Sequence, residues 1–245
     1  MTMRIALAHL GPISQLVPAM SVVEGIKKQK VDTHISWIVQ EDYIHIHKYN
    51  KHIDRTITLE KFSREKGCYD LLVNLWPFFP ERLKINSVVK HSIGFCFGDI
   101  EDQLYKGPLI GNSSLPNMSV LQLYFKLCGL TWKGEGYSVG YFPRTKTRKN
   151  RVGISVANAN LRNYVLENLE LENMKVWYIP YRKNIFRKMD EINRCKKVIT
   201  DDLFTFHLTV SMRKYVYYLK THPLTLAIET FGNGEIYTVP LNVFE

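Results

Sequence analysis

The stretch MRIALAHLGP at residues 3–12 decides the fold of this chain. Its first eight residues are almost continuously apolar, which is typical of a strand that is buried on both faces of a parallel sheet. Gly11 and Pro12 end the strand. Residues 14–30 then carry apolar side chains at three-to-four spacing, which predicts a helix with Ser14 available as its N-cap. The stretch therefore predicts a strand, a tight turn and a helix.

The alternation of strand and helix patterns continues along the next hundred residues. Strands are predicted at 34–39, 55–59, 69–75 and 92–96, and helices at 41–51 and 118–130. Strands that alternate with helices are joined by right-handed crossovers into a mainly parallel sheet. An irregular segment at 97–117 contains several glycines and prolines, and a loop of that length inside a compact domain is usually functional.

The strand pattern stops at a basic segment and restarts at Arg151. Residues 143–151 contain five basic and no acidic side chains. Beyond them we predict strands at 152–156, 175–179, 197–200, 215–219 and 235–239, and helices at 161–169, 184–195, 204–212 and 224–231. The fold class is therefore α/β, with two Rossmann-like lobes, mainly parallel sheets and a central cleft. We expect an amino-terminal lobe at 1–142, a linker at 143–150 and a small carboxyl-terminal lobe at 151–245.

Composition and charge narrow the class of protein. The chain has 245 residues, of which 45% are apolar and 23% charged, and these fractions exclude a disordered or coiled-coil protein. The net charge of +10 favours an anionic partner, which leaves nucleic acid, an acidic membrane surface and a phosphorylated small molecule open. The basic residues of 182–197 either bind such an anionic ligand or form solvated surfaces.

Location is predicted from the cysteines and the apolar runs. The four cysteines are widely spaced and read as reduced thiols, namely Cys68, Cys96, Cys128 and Cys195. No apolar run reaches the eighteen or more residues that a transmembrane helix needs. We therefore expect a cytoplasmic protein, with peripheral contact at the inner membrane face as an open alternative.

Two groups of residues resemble a known family. The residues at 3–11, 18–20, 35–39, 52–55 and 69–75 look like the amino lobe of the lipopolysaccharide heptosyltransferases, the family-nine glycosyltransferases of GT-B fold. KVITDD at 197–202, with His207 and Leu208 after it, is similar to the strand of that family that ends in Asp-Thr-Gly before a His-Leu pair. The resemblance implies transfer of a sugar from a nucleotide-sugar donor to a saccharide or glycolipid acceptor, with no metal cofactor.

The chain departs from this family at three places. An acidic residue, the proposed general base, usually follows the turn glycine, and here that residue is Pro12. The catalytic base is therefore unknown, with Asp99 and Asp102 of the irregular segment as substitutes. Leu203 and Phe204 replace the small Thr-Gly pair beside which nucleotide phosphates would lie. The lysine-rich phosphate-binding stretch also lacks a counterpart, and Arg162 is the nearest cation.

Candidate binding residues follow from the matched positions. The resemblance implies that the nucleotide is bound by Thr200, Asp202 and His207, and Arg162 is the nearest cationic substitute for the missing phosphate-binding stretch. The N–H groups after Gly11, with Ser14 and Gln15, are candidates for binding the acceptor or an anion at a helix N-terminus. Each has a structural alternative: Gly11 as a tight turn, Asp202 as a helix cap and His207 as a core residue.

Two further alternatives stay open at this point. Tyrosines at 215, 217 and 218 beside basic residues would suit nucleic acid, although a buried strand explains them better. His45, His47 and His52 have no acidic partner that would complete a metal site, so we predict no metal. A degenerate GT-B protein that binds without catalysis is the second hypothesis for function.

Overall fold

The computed structural model describes residues 2–30, 32–65, 67–76, 89–94, 119–169, 171, 173–180, 184–221, 230–240 and 243. These residues divide into two compact units, the first ending at Gly140 and the second starting at Tyr141. The division falls just before the segment that the sequence predicts to be a linker. Each unit has its own parallel sheet of five strands.

The first unit is a doubly wound sheet in the order β3-β2-β1-β4-β5, with every pair parallel. Its strands are β1 (Met3–Ala8), β2 (Thr33–Ile38), β3 (Arg55–Ile57), β4 (Tyr69–Asn74) and β5 (Val89–Gly94). Its described helices are α1 (Ile13–Gln29), α2 (Leu59–Arg64) and α3 (Val120–Leu127), and two short 3-10 helices lie at Glu41–Tyr43 and Ile46–Tyr49.

Both faces of the first sheet are covered, as the apolar pattern of β1 predicts. Phe62 of α2 joins a buried cluster with Ala6, Ile38 and Leu72. Helices α1 and α3 pack closely together, because a Cβ at Gly25 would lie 2.7 Å from the Phe125 ring. Burial of such side chains supplies most of the favourable free energy of folding.

The second unit has the strand order β10-β9-β8-β6-β7, again with every pair parallel. Its strands are β6 (Arg151–Ser155), β7 (Lys175–Tyr178), β8 (Lys197–Thr200), β9 (Tyr215–Lys220) and β10 (Gly234–Thr238). Its described helices are α4 (Ala159–Asn168), α5 (Ile185–Asn193) and α6 (Leu203–Ser211). The prediction of an α/β fold with two Rossmann-like parallel sheets is confirmed.

Three local predictions are wrong. The helix predicted at 41–51 is a pair of 3-10 helices, neither with a side-chain N-cap. The strand predicted to end at residue 59 stops at Ile57, because the Thr58 hydroxyl accepts from Lys61 N and caps α2. Ser14 does not cap α1, because the N-cap is Pro12, which has no side-chain acceptor. The candidates Asp99 and Asp102 lie outside the described residues, as do positions 224–229 of the helix predicted at 224–231.

The segment predicted as a linker is hydrogen-bonded along α5. Arg144 N donates to Asp190 Oδ1 at 2.8 Å, and Thr145 Oγ1 donates to Asp190 O at 2.7 Å. Thr147 Oγ1 continues the series by donating to Asn193 O at 2.9 Å. Residues 144–147 are therefore held by the second unit, and their basic side chains follow a fixed backbone.

Candidate functional site

Polar side chains gather at the carboxyl ends of the strands in both units. In open α/β sheets, ligands bind outside these ends, at the point where the strand order reverses. That point lies between β1 and β4 in the first sheet, and between β6 and β8 in the second. The two edges are described separately below.

Gly11 and Trp76 meet at the reversal point of the first sheet. A Cβ at Gly11 would lie 2.3 Å from Trp76 Cζ3, so the indole occupies the space that a side chain at position 11 would need. Trp76 also packs at 5.7 Å, centroid to centroid, from the His9 ring, and its backbone N–H donates to Asn74 Oδ1 at 3.0 Å. Glycine is required at position 11 for this close approach.

A buried hydrogen-bond chain lies behind this turn. Tyr124 OH donates to Gln15 Oε1 at 3.2 Å, and His9 Nε2 lies 3.3 Å from the same hydroxyl. Burial lowers the pKa of His9 to about 3, so its imidazole is neutral near pH 7. Because the Tyr124 proton goes to Gln15, neutral His9 donates from Nε2 to the hydroxyl oxygen. Gln15, a predicted ligand for the acceptor, is thus engaged within the fold.

A pocket of about 550 Å³ opens at the carboxyl ends of β1, β2 and β3. Its lining includes two carboxylates, Glu41 and Glu60, and the Trp76 indole. Glu60 is paired with Arg64 in α2. The remaining lining residues are Leu10, Val39, Gln40, Thr58 and Leu59. None of these residues is a candidate from the sequence, although each lies at or just beyond the end of a predicted strand, which is the signal that identifies them.

A second polar network lies at the reversal point of the other sheet. Lys188 Nζ donates to Ser155 Oγ at 3.1 Å, and Ser155 Oγ lies 3.2 Å from Thr205 Oγ1. Thr205 Oγ1 donates to Asp202 Oδ2 at 2.5 Å. Lys188 is only 1% exposed, and burial lowers its pKa although the charge of Asp202 acts against that shift. Two hydroxyls therefore connect a buried ammonium to a carboxylate.

Asp202 also caps α6. Its Oδ1 accepts from Phe204 N at 3.1 Å and its Oδ2 accepts from Thr205 N at 3.0 Å. Thr200 Oγ1 accepts from Asp202 N at 3.0 Å and donates to Ser155 O at 2.9 Å. The structural alternative for Asp202, a helix cap, is therefore observed, and the carboxylate occupies N–H groups that a phosphate would otherwise use.

Arg162 has a different environment from the other predicted nucleotide ligands. It lies in the first turn of α4, and its guanidinium carbon is 5.9 Å from the centre of the Tyr178 ring. Its buried Nε has no hydrogen-bond partner among the described residues. Tyr178 is 53% exposed at the end of β7. By contrast, His207 is 2% exposed and lies inside this unit, with its ring 5.4 Å from that of Phe206.

The other kinds of site considered from the sequence are a nucleic-acid surface at the tyrosines of β9, a metal site and a membrane-spanning segment. Tyr218 is buried in β9, and Lys197 Nζ lies 5.5 Å from the Tyr217 ring. In the parts of the chain that the structure describes, no three His, Cys, Asp or Glu side chains form a metal-binding group. Cys68, Cys128 and Cys195 are free thiols. No helix within the described ranges is long and apolar enough to cross a membrane.

Two parallel five-stranded sheets with flanking helices make up the fold, and this α/β arrangement matches the GT-B fold of solved heptosyltransferases. The chain resembles the Escherichia coli heptosyltransferase WaaC, solved with ADP-2-deoxy-2-fluoro heptose, at a TM-score of 0.65 and 10% identity, over 98% of this chain and 94% of that one. It also resembles E. coli ADP-heptose lipopolysaccharide heptosyltransferase II, with a TM-score of 0.69 and 10% identity. This second match covers 98% of this chain and 91% of that one.

A third similar structure is the family 9 glycosyl transferase from Veillonella parvula, with a TM-score of 0.63, 14% identity and coverage of 96% of this chain and 85% of that one. No protein-family model and no curated protein sequence matches the chain. At these identities the likeness establishes the fold, and it confirms the resemblance that the sequence motifs indicate.

Proposed function

We propose that this protein is a glycosyltransferase that moves a sugar from a nucleotide-sugar donor to a saccharide or glycolipid acceptor at the cytoplasmic face of a membrane. In this proposal the second unit binds the nucleotide and the first unit binds the acceptor. Support comes from a GT-B fold shared over 98% of the chain with a heptosyltransferase solved with an ADP-heptose analogue. The chemistry of the two sheet edges supports the division of roles.

The observation that carries the proposal is the arrangement of Arg162 and Tyr178. Arg162 offers a cationic guanidinium with an unpartnered Nε, and Tyr178 offers an exposed ring beside it. A guanidinium binds phosphate oxygens through charge-assisted hydrogen bonds. An aromatic ring stacks on a nucleobase. Arg162 lies in the helix that follows β6, and Tyr178 ends the neighbouring strand β7, so a nucleoside diphosphate matches this edge by charge and by ring stacking.

The Asp202 network explains why the phosphates would bind at Arg162. Because Asp202 engages Phe204 N and Thr205 N, the N-terminus of α6 already has an anion of the protein's own. A second anion at the same N–H groups would be repelled. In the proposal, Arg162 contacts the phosphates, Thr200 and Asp202 shape the strand end beside them, and the buried His207 supports the same segment from inside the unit.

The proposal is tested by calorimetry with ADP-, UDP- and GDP-sugars. We expect one of them to bind, and Arg162→Met to weaken that binding at least tenfold. The matched control is Arg187→Met, which removes the same charge from an exposed position of α5. If no nucleotide sugar binds, or if both variants lose affinity equally, the proposed donor site is wrong.

A specific observation also favours a second function, that of a GT-B protein which binds without transferring. Pro12 offers no proton acceptor after the turn glycine, and the α6 N-terminus has no free phosphate cradle. Our candidates for a replacement base remain Asp99 and Asp102. Release of nucleoside diphosphate in the presence of saccharide acceptors separates the two functions. Binding without release would support the second, and release that is lost in Asp99→Asn or Asp102→Asn would support the first.

A further inference from the structure

We propose that the pocket at the carboxyl ends of β1, β2 and β3 takes a saccharide that carries a free amine, and that Glu41 binds its ammonium group. This inference rests on the proposed function, because it names the class of acceptor for the first unit. It follows from the charge of the pocket, from one unpaired carboxylate and from the aromatic wall beside it.

The pocket is acidic although the chain is strongly basic. The chain carries a net charge of +10, yet the described residues that line the pocket include two glutamates and no lysine or arginine. Glu60 is compensated by Arg64 on the exposed surface of α2. A sugar that carries a carboxylate or phosphate would therefore meet a like charge here, whereas an ammonium would meet an opposite one.

Glu41 is the carboxylate that is free to bind a ligand. Its side chain has no hydrogen-bond or ion-pair partner in the described part of the chain, while its backbone is held in a 3-10 turn by Ile44 N donating to Glu41 O at 3.1 Å. The preceding residue is also fixed, because Gln40 Nε2 donates to Leu10 O at 2.6 Å. The backbone that carries this carboxylate is therefore tied to the turn that follows β1.

Trp76 supplies the second element of ammonium recognition. Its ring lines the pocket and is positioned by close packing against Gly11 and the His9 ring. Tryptophan is the aromatic side chain that attracts cations most strongly through its ring face. The same face packs against the C–H groups of a sugar ring. A carboxylate and an indole on the wall of one pocket together favour a protonated amino sugar over its neutral or acidic counterparts.

Calorimetry with three disaccharides tests this inference at low ionic strength and at a pH where the sugar amine is protonated. The probes are β-1,4-linked glucosamine disaccharide, its N-acetylated form and a disaccharide that contains glucuronic acid. We expect the amine to bind at least tenfold more tightly than the acetylated form, and the acid to bind most weakly. Acetylation removes the positive charge and retains the sugar rings, so this pair isolates the ammonium.

The matched variants are Glu41→Gln and Asp42→Asn. Each removes one negative charge from the same 3-10 helix, but Asp42 is absent from the pocket lining. We expect the preference for the amine to disappear in Glu41→Gln and to persist in Asp42→Asn. Equal affinity for the three probes, no binding of any, tighter binding of the acid, or a preference that survives Glu41→Gln would each overturn the inference.

Nucleotide-sugar binding, measured on the same samples, separates this inference from the proposed function. Donor binding without an amine preference would overturn the acceptor class and leave the transferase proposal standing. An amine preference in a protein that binds no nucleotide sugar would reject the transferase and keep the pocket assignment.

Discussion

Lys188 Nζ and Asp202 Oδ2 lie at the two ends of one hydrogen-bond chain that runs through the hydroxyls of Ser155 and Thr205. The directions of the donors agree along the chain, since the ammonium donates to Ser155, Ser155 to Thr205, and Thr205 to the carboxylate. The chain crosses from α5 to the end of β6 and then to the start of α6. It therefore fixes the reversal point of the second sheet with opposite charges that do not touch.

We expect Lys188→Met to raise the free energy of unfolding by about 1 kcal/mol at pH 7, because burial disfavours the charged ammonium and methionine, of similar length, carries no charge to desolvate. Burial lowers the pKa of Lys188, so the unfolded chain binds more protons than the folded one as pH rises towards 10.5. The free energy of unfolding of the wild-type protein therefore increases with pH in this range. The difference in stability between Lys188→Met and the wild type should shrink accordingly.

Urea unfolding at pH 7 and pH 9 measures both effects. The control is Lys175→Met at an exposed position of β7. If Lys188→Met is less stable than wild type at both pH values, the ammonium contributes more through its hydrogen bond to Ser155 than it costs through burial.

His9 predicts a loss of stability in acid. Its pKa is about 3 in the folded protein because of burial, whereas the ordinary value is 6.5. As pH falls from 6.5 towards 3, the unfolded chain binds a proton that the folded chain excludes, and stability decreases by up to about 1.4 kcal/mol per pH unit. His9→Gln, which keeps a donor near the Nε2 position, should remove this part of the acid slope.

Tyr124→Phe serves as the control for that experiment. It removes the hydroxyl partner and keeps the buried imidazole, so the acid slope should remain. Chemical denaturation at several pH values between 3 and 7 gives both slopes. An unchanged slope in His9→Gln would mean that the pKa of His9 is not lowered in the folded protein.

The contribution of Asp202 to stability as the N-cap of α6 can be measured separately from the contribution of its charge. Asp202→Ala removes the acceptor for Phe204 N and Thr205 N and should lower the free energy of unfolding by about 1 to 2 kcal/mol. Asp202→Asn keeps one side-chain oxygen and should lose less. Thermal unfolding of the two variants provides the measurement, and an alanine variant as stable as wild type would exclude the capping role.

Replacing Pro12 with aspartate is expected to make the protein more stable than replacing it with alanine. Helix α1 has no side-chain cap, and Pro12 has φ −64° and ψ 155°, which aspartate adopts without strain. Relative to Pro12→Ala, Pro12→Asp should raise the free energy of unfolding by about 1 kcal/mol through a new cap and a favourable interaction with the helix dipole. Diphosphate release measured on both variants then shows whether the acid also acts as a base. A Pro12→Asp variant no more stable than Pro12→Ala would contradict the cap.

The sequence predicts the fold well where one periodicity continues over a whole element. Helix α1, which the sequence predicts at 14–30, spans Ile13–Gln29, because apolar residues recur at helical spacing over its whole length. The structure of residues 41–51 is harder to predict. Polar and apolar residues there satisfy a helical period, but the chain makes two separate 3-10 turns. Helix α2 was missed because Leu59 continues the apolar pattern of β3.

The candidate site is harder to predict from the sequence than the fold is, for a physical reason. A lysine in an amphipathic helix reads as solvated, and the burial of Lys188 depends on Ser155, which lies 33 positions away in the chain. Glu41 and Trp76 likewise line one pocket only because parallel strands bring their carboxyl ends to one edge. Such juxtapositions are set by strand order, and local sequence patterns carry little information about them.

The contact between Gly11 and Trp76 constrains how this chain can change over evolutionary time. Because a side chain at position 11 would overlap the indole, the two positions cannot drift independently. A larger residue at 11 is tolerated only after Trp76 has been replaced by a smaller one, so the order of the two substitutions decides whether the intermediate folds. Libraries designed to redirect the specificity of the pocket should therefore randomise both codons together, since single-site variation at 11 samples only impaired neighbours.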